Sequence, residues 1–294
     1  MGCWPHSGVS RSAKRPRLSF PTTCRYFMRI QNESLLFLYC KLRYLRNHQT
    51  LKSLKVIDKG RFFIYELGDI RIASESFNWY LTRAHLEKEV QRVSAHYYTP
   101  KSGDTVVDVG AGLGEETSIY TRLVGAAGQV YAIEANPAVY KVLQQLVDAS
   151  QLPNVKLFNI AINDTPGTVV IDDAPTSYLS SSLNSQTPGT AYQVPGLPFE
   201  DFCAAQGIRR IDLLKVNIEG AERFFSTVFA RPELDIPNVA IACHDFRFEG
   251  EGNEFFRTKQ LVTDYLQANG YDTWSQQTGT RYIDDWVYGR KLTA

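Results

Sequence analysis

At 294 residues, with 44% hydrophobic and 21% charged side chains, the chain has the composition of an ordinary globular protein, with room for one large α/β domain and an extension. Its five cysteines, Cys3, Cys24, Cys40, Cys203 and Cys243, form no C-x-x-C pair and no ligand spacing; this argues against a disulfide framework and a zinc site, and for free thiols in a reducing compartment. The net charge of +1 conceals an asymmetry, because residues 1–57 carry eleven Lys or Arg against the single acid Glu33, leaving 21 basic and 30 acidic residues for the rest.

Residues 1–27 are acid-free, contain Ser and Arg, and lack an amphipathic period, so they are expected to form a disordered basic tail. Met28 is the second of two methionines, and a start there would remove that tail. Residues 30–51 interleave Leu, Phe and Tyr with Lys41, Arg43 and Arg46, which predicts a basic amphipathic helix. Such a helix packs on the body or a partner chain, or touches an anionic membrane face. Residues 1–60 therefore read as a basic N-terminal extension and 61–294 as the main domain. No RNA- or DNA-binding motif accompanies the basic charge, so no nucleic acid partner is expected. The longest apolar run near the N-terminus, residues 35–40, is far short of the roughly 20 needed to span a bilayer and too short for a secretory leader. A cytoplasmic location is expected.

Residues 62–67 and 70–74 read as strands of a hairpin around Gly68-Asp69, followed by a helix over 80–98. A strand over 105–109, a glycine-rich turn and a helix through about residue 124 come next. The alternation continues with strand 129–134, helix 137–150, strands 155–160, 168–172 and 211–216, helix 221–230, strand 239–243 and helix 254–268. Residues 271–275 and 281–288 close the chain as a hairpin-like pair. This order predicts an α/β fold, a doubly wound and mostly parallel sheet with helices on both faces and a C-terminal antiparallel hairpin. Residues 175–198, rich in Ser, Thr, Pro and Gly, are expected to form a surface loop and a candidate lid.

Asp108-Val109-Gly110-Ala111-Gly112-Leu113-Gly114 lies where the first strand of this alternation hands over to a helix. Glycines there let the backbone approach a nucleotide ligand without Cβ clashes, and the helix N-terminus favours an anionic group. Glu134 ends the next strand, 20 residues after Gly114, where a carboxylate accepts hydrogen bonds from ribose hydroxyls. That pairing indicates adenosine and ribose without choosing the cofactor, since NAD enzymes place an acid similarly. Asn159, Asn163 and Asp164 cluster after the third strand, and Asp164 is favoured for contact with an adenine amino group; turn formation ahead of Pro166-Gly167 uses the same residues. In the run Asp212-Leu213-Leu214-Lys215-Val216-Asn217-Ile218-Glu219-Gly220-Ala221-Glu222, Lys215, Asn217 and Glu219 share one face of an extended strand. A lysine, an amide and a carboxylate at the carboxyl end of a buried strand are costly unless they serve a site or one another. His244 and Asp245 follow the next strand, close to the same crevice.

The LLKVNIEGAE run, DVGAGLGEE upstream and AIEANP between them resemble the FkbM-type methyltransferases over roughly residues 105–244. The resemblance implies a Rossmann-like class I methyltransferase fold with a seven-stranded sheet, and S-adenosylmethionine (SAM) as cofactor. It implies O-methylation of a sugar or other small metabolite, with the turn glycines Gly110, Gly112 and Gly114 and Glu134 holding the cofactor; Asp108 and Asp164 join them as cofactor-side candidates by position. Lys215, Asn217, Glu219, His244 and Asp245 are the catalytic candidates, with His244 or Asp245 as proton acceptor and Lys215 and Glu219 fixing orientation. Where the family motif L-K-x-D-x-E-G-x-E has Asp, this chain has Asn217, which cannot act as a base at neutral pH. A second reading is therefore a catalytically impaired SAM-binding module with an interaction role. A third, an NAD-dependent dehydrogenase, accounts for neither the KVNIEGAE strand nor the lack of a substrate domain. No metal is expected.

Overall fold

In the computed structural model, which describes residues 32–173, 183 and 190–292, Asn32 accepts a hydrogen bond from the Leu35 amide and starts helix α1 (Glu33–Leu45). The helix is shorter than the expected 30–51, because after His48 at φ 57° the chain re-emerges as strand β1 (Leu51–Ile57). Apolar Leu51, Leu54 and Val56 in that segment suit a half-buried strand better than a helix. β1 pairs antiparallel with β2 (Phe62–Leu67), which pairs antiparallel with β3 (Ile70–Ser74), the hairpin read from sequence. Leu36, Cys40 and Tyr44 of α1 share a buried cluster with Tyr65, Phe77 and Trp79, and that cluster runs on to Val106, Ile119 and Trp286. The basic segment from residue 33 is thus packed into the same core as the rest.

Helix α2 (Arg83–Arg92), capped by Thr82, occupies the centre of the expected 80–98 helix. Strand β4 (Thr105–Val109) leads through the glycine turn into α3 (Glu115–Val124), and β5 (Gln129–Ile133) leads into α4 (Pro137–Ser150). The Asn136 side chain accepts the Ala138 amide at 2.9 Å, and Pro137 supplies a first-turn residue that needs no partner for its nitrogen. Strand β6 (Val155–Phe158) follows.

The chain then leaves the main sheet. Strands β7 (Ala161–Ile162), β8 (Gly167–Asp173) and β9 (Thr190–Leu197) make a separate three-stranded sheet in the order β7-β9-β8. The expected strand 168–172 therefore belongs to a side sheet rather than the parallel one. Pro166-Gly167 reverses the chain, so β8 runs antiparallel to β9 and cannot take a crossover position. Residues 190–197, expected as part of a loop, are strand; the remainder of the expected lid, except Leu183 and Pro198, lies outside the described residues, as do residues 1–31.

After α5 (Phe199–Gln206), strands β10 (Leu213–Val216) and β11 (Asn238–Ala242) complete the parallel set. The expected helix 221–230 is two short 3-10 turns, Ala221–Phe225 and Val228–Ala230. Helix α6 (Asp245–Glu251) precedes a second correction: the expected helix 254–268 is broken into the 3-10 turn Glu254–Phe256 and helix α7 (Lys259–Ala268). The break falls at Thr258, whose amide and that of Lys259 bond to the Asp245 carboxylate at 3.0 and 2.8 Å. Finally β12 (Tyr271–Trp274) and β13 (Trp286–Lys291) are joined through the short helix α8 (Arg281–Asp284), where strand was expected.

The main sheet has the order β12-β13-β11-β10-β4-β5-β6. β4, β5, β6, β10 and β11 run parallel, and β13 is antiparallel to both of its neighbours. The order reverses at the β4/β10 boundary, and the crevice outside their carboxyl ends is where such folds bind ligands.

Candidate functional site

The glycine turn is fixed by backbone contact. Gly110, Gly112 and Gly114 have φ of 78°, 57° and 88°, a region that L side chains rarely adopt. A Cβ on Gly110 would stand 2.0 Å from the Asn217 carbonyl oxygen, so the turn after β4 and the end of β10 touch with no room for a methyl group. The Gly110 and Ala111 amides donate to the Ile133 carbonyl at 2.9 and 3.0 Å, which ties the turn to β5 as well. Glu134, just past β5, accepts from the Gly112 amide at 2.9 Å and from the Asn136 amide at 2.8 Å. Burial pushes its carboxyl upward, opposed by those two amides. Two amides use about half of the lone-pair sites of a carboxylate, which leaves capacity for a ligand hydroxyl.

Beneath the turn lies a buried charge cluster. Lys215 Nζ is 2.8 Å from Asp108 Oδ1, 2.8 Å from Glu116 Oε2 and 2.9 Å from the Gly110 carbonyl. Thr117 Oγ1 donates to the other Asp108 oxygen at 2.7 Å. Burial alone disfavours the Lys215 ammonium, but Asp108 and Glu116 outweigh it and hold the group protonated. Burial raises the Asp108 carboxyl against the pull of Lys215. Lys215 and Asp108 line neither cavity described below; they brace the turn from behind.

A second cluster closes the other side. Glu219 has φ 53° and is followed by Gly220 at 100°, so the chain turns sharply after β10. His244 Nε2 is 3.3 Å from Glu219 Oε1, and His244 Nδ1 is 2.9 Å from Glu222 Oε1. Arg247 adds a 2.8 Å ion pair to Glu219 and another to Glu251. Glu222 is fully buried and accepts the Ile218 and Gly220 amides. Burial works against the His244 cation, yet Glu219 and Glu222 outweigh burial and push its pKa up to about 10. His244 is therefore a fixed imidazolium at neutral pH and holds no lone pair for a proton. Burial raises the Glu219 carboxyl, but His244 and Arg247 prevail and hold it below the usual carboxylate range.

Two adjoining cavities flank the turn. The first is an apolar slot walled by Val109, Ile133, Ile160, Ile162, Ile171 and Leu183, with Glu134, Asn217 and Glu219 at its polar margin. The second, of about 530 Å³, shares Gly110, Gly112, Asn217 and Glu219 with the slot and extends past Glu115, Glu116, His244 and Arg247 to Phe246 and Tyr282. Asn217 stands between them, and its side-chain amide makes no hydrogen bond to another described residue.

The structure thus brings Gly110, Gly112, Glu134, Asn217, Glu219 and His244 to one crevice. Gly114 caps α3 behind it. Asp164 does not join them: it is exposed, among the described residues accepts only from the adjacent Thr165 hydroxyl, and lines neither cavity. Asp245 ties α6 to the start of α7 and faces away from the cavities. Asn159 donates to the Glu134 and Ala135 carbonyls and holds the strand end.

Four residues were not singled out from sequence: Glu115, Glu116, Glu222 and Arg247. Glu115 lines the larger cavity and makes no hydrogen bond or ion pair to another described residue. Burial, with the neighbouring charge of Glu116, pushes its carboxyl up to about 7. The acid pair in DVGAGLGEE was the visible signal for Glu115 and Glu116, and the last acid of IEGAE for Glu222. Arg247, three residues beyond His244, had none.

The sequence model of the methyltransferase FkbM domain matches residues 108–273, and that of protein-L-isoaspartate(D-aspartate) O-methyltransferase matches residues 31–165. No curated protein matches the chain in sequence. Among solved structures, a methyltransferase FkbM from Methylobacillus flagellatus aligns at 15% identity and TM-score 0.43, covering 72% of this chain and 51% of that one. Fibrillarin from Aeropyrum pernix, bound to S-adenosyl-L-methionine, aligns at 12% identity and TM-score 0.43 over 82% of this chain and 99% of its own. The O-methyltransferase TomG from Streptomyces achromogenes, in complex with SAM, aligns at 10% identity and TM-score 0.43 over 72% and 79%.

Proposed function

The chain belongs to the methyltransferase FkbM domain family, and from that membership we propose that it methylates a hydroxyl of a sugar or other small metabolite. It is a SAM-dependent methyltransferase of α/β fold. The residues present fit the cofactor on their own chemistry. The apolar slot suits a flat heterocycle, and Glu134 keeps unused lone pairs for ribose hydroxyls. The glycine turn presents backbone without Cβ atoms, and the Asn217 amide has both donor and acceptor capacity to spare.

When bound, SAM supplies a methyl group activated on a sulfonium for in-line displacement, so the protein must contribute alignment and a correctly protonated acceptor. The observation that carries the O-methylation reading is Glu115. It lines a cavity continuous with the glycine turn and pairs with no other described residue, and burial beside Glu116 pushes its carboxyl up to about 7. A carboxylate in that state accepts a hydroxyl proton at an Oε atom, the task for which a base poised near the operating pH is best matched. Asn217 is then relieved of the base role and serves to orient. Glu219, held by His244 and Arg247, fixes the wall opposite, and Lys215 keeps the turn in place through Asp108 and Glu116. The larger cavity carries Glu89, Glu115, Glu116, Glu219 and Glu251 against His244 and Arg247, an acidic surround that suits a cationic donor.

The test is transfer of labelled methyl from SAM to a panel of small polyols, phenols, amines and thiols. Product on hydroxyl acceptors is the expected outcome. Cofactor binding with no product on any class would favour a SAM-binding module in which Asn217 marks lost catalysis.

A further inference from the structure

Helix α1 is fixed in orientation by its inner face, where Leu36, Cys40 and Tyr44 are buried against the body. Its outer face carries Leu35, Leu38, Leu42 and Leu45 at 46%, 52%, 53% and 62% exposure. At about 100° per residue these four fall within an arc of roughly 80°, a continuous apolar stripe rather than scattered surface leucines. Lone exposed leucines are common, but four aligned on one helix face mark a contact surface.

Exposed Lys41 and Arg46 flank the stripe, and the only acid of the helix, Glu33, sits at its start. Residues 1–57 together hold eleven basic residues and one acid. No described helix is long and apolar enough to cross a membrane, so any bilayer contact by α1 lies in the interface plane.

We propose that the outer face of α1 docks on an anionic phospholipid surface, with the leucine stripe at the acyl boundary and Lys41 and Arg46 at the headgroups. Charge selects this occupant over a second copy of the chain. Two like-charged segments would meet across a symmetric pair, and 13 residues give fewer than two heptads of seam. An anionic bilayer instead complements both the stripe and the cations beside it. The proposal is independent of the methyl acceptor, because the helix face is separate from both cavities.

The experiment is co-sedimentation of the full chain with vesicles of phosphatidylcholine alone and of phosphatidylcholine mixed with phosphatidylserine. Binding is expected on the mixed vesicles only. A Leu38→Glu, Leu42→Glu variant should weaken partitioning at least about tenfold, as should a Lys41→Ala, Arg46→Ala variant. All four positions are on the outer helix face, and the melting temperature is measured alongside to establish that the variants fold. Equal sedimentation of the leucine variant and the unaltered chain overturns the proposal. So does a lack of vesicle binding, including the case in which light scattering shows a dimer that the leucine variant abolishes.

Discussion

Lys215→Met is expected to destabilise the fold by on the order of 3–5 kcal/mol, because removing one partner of a buried ion pair leaves an uncompensated charge. Here two carboxylates lose their cation at once, Asp108 at 0% exposure and Glu116 beside it. The Gly110 carbonyl loses a donor in the same step. Denaturant unfolding measures the effect as a lower midpoint with an unchanged slope. The pH dependence has a definite sign. Without Lys215 the Asp108 carboxyl rises further above its unfolded value, and a raised folded pKa gives stability that is present at low pH and lost as pH rises. The deficit of the variant should therefore be largest near neutrality and shrink toward about pH 4, where Asp108 protonates in both states. A loss below about 1 kcal/mol at neutral pH would be that of a weak surface pair, and would contradict a buried brace under the turn.

Glu115→Gln is expected to lower kcat by about 10²–10⁴-fold, the usual contribution of a positioned general base. Glu116 neighbours Glu115 on its own helix, and Glu89 on α2 lines the same cavity together with Glu219, Glu251, His244 and Arg247. Burial comes first and Glu116 second in pushing the carboxyl up to about 7. The base is the deprotonated form, so kcat of the unaltered enzyme should rise with pH through about 7 and level off above it. The glutamine variant should lack that rise and lose far more in kcat than in SAM affinity, since Glu115 is one of five carboxylates around the larger cavity. Full activity in the variant would move the proton elsewhere.

Much of the site was legible because it is local. The glycine turn at 110–114 and the acid at the end of the next strand are contiguous patterns. The shared face expected for Lys215, Asn217 and Glu219 is not formed, because the strand ends at Val216 and Glu219 turns at φ 53°, so Asn217 and Glu219 line the cavities while Lys215 lies behind the turn. The parallel sheet followed from the alternation of strands and helices. What escaped depends on contacts distant in sequence. His244 looks like a titrating base until Glu219 and Glu222 close on both ring nitrogens and keep it charged. Lys215 reads as a site residue, but its ammonium is spent on Asp108 and Glu116. Glu115 has no distinguishing spacing; burial and an acidic neighbour give it a pKa suited to proton transfer. The side sheet was missed since β7 is two residues long, too short for any periodicity to register. Strand β1 was hidden because the helix expected over 30–51 overlaps its first residue, and Lys52, Ser53 and Lys55 break the two-residue alternation of the segment that pairs with β2.

Glu134 is where the cofactor reading is most exposed to test, because its two oxygens tie the glycine turn to the strand end while retaining acceptor capacity at the slot. The decisive measurement is calorimetric titration of the chain with SAM and with its demethylated product, repeated on Glu134→Ala. The account predicts one site for each ligand in the unaltered chain. It predicts weakening by about tenfold or more in the variant, as expected for loss of hydrogen bonds to a charged group. Binding of NADH in place of SAM, or SAM binding that is indifferent to Glu134→Ala, would contradict it.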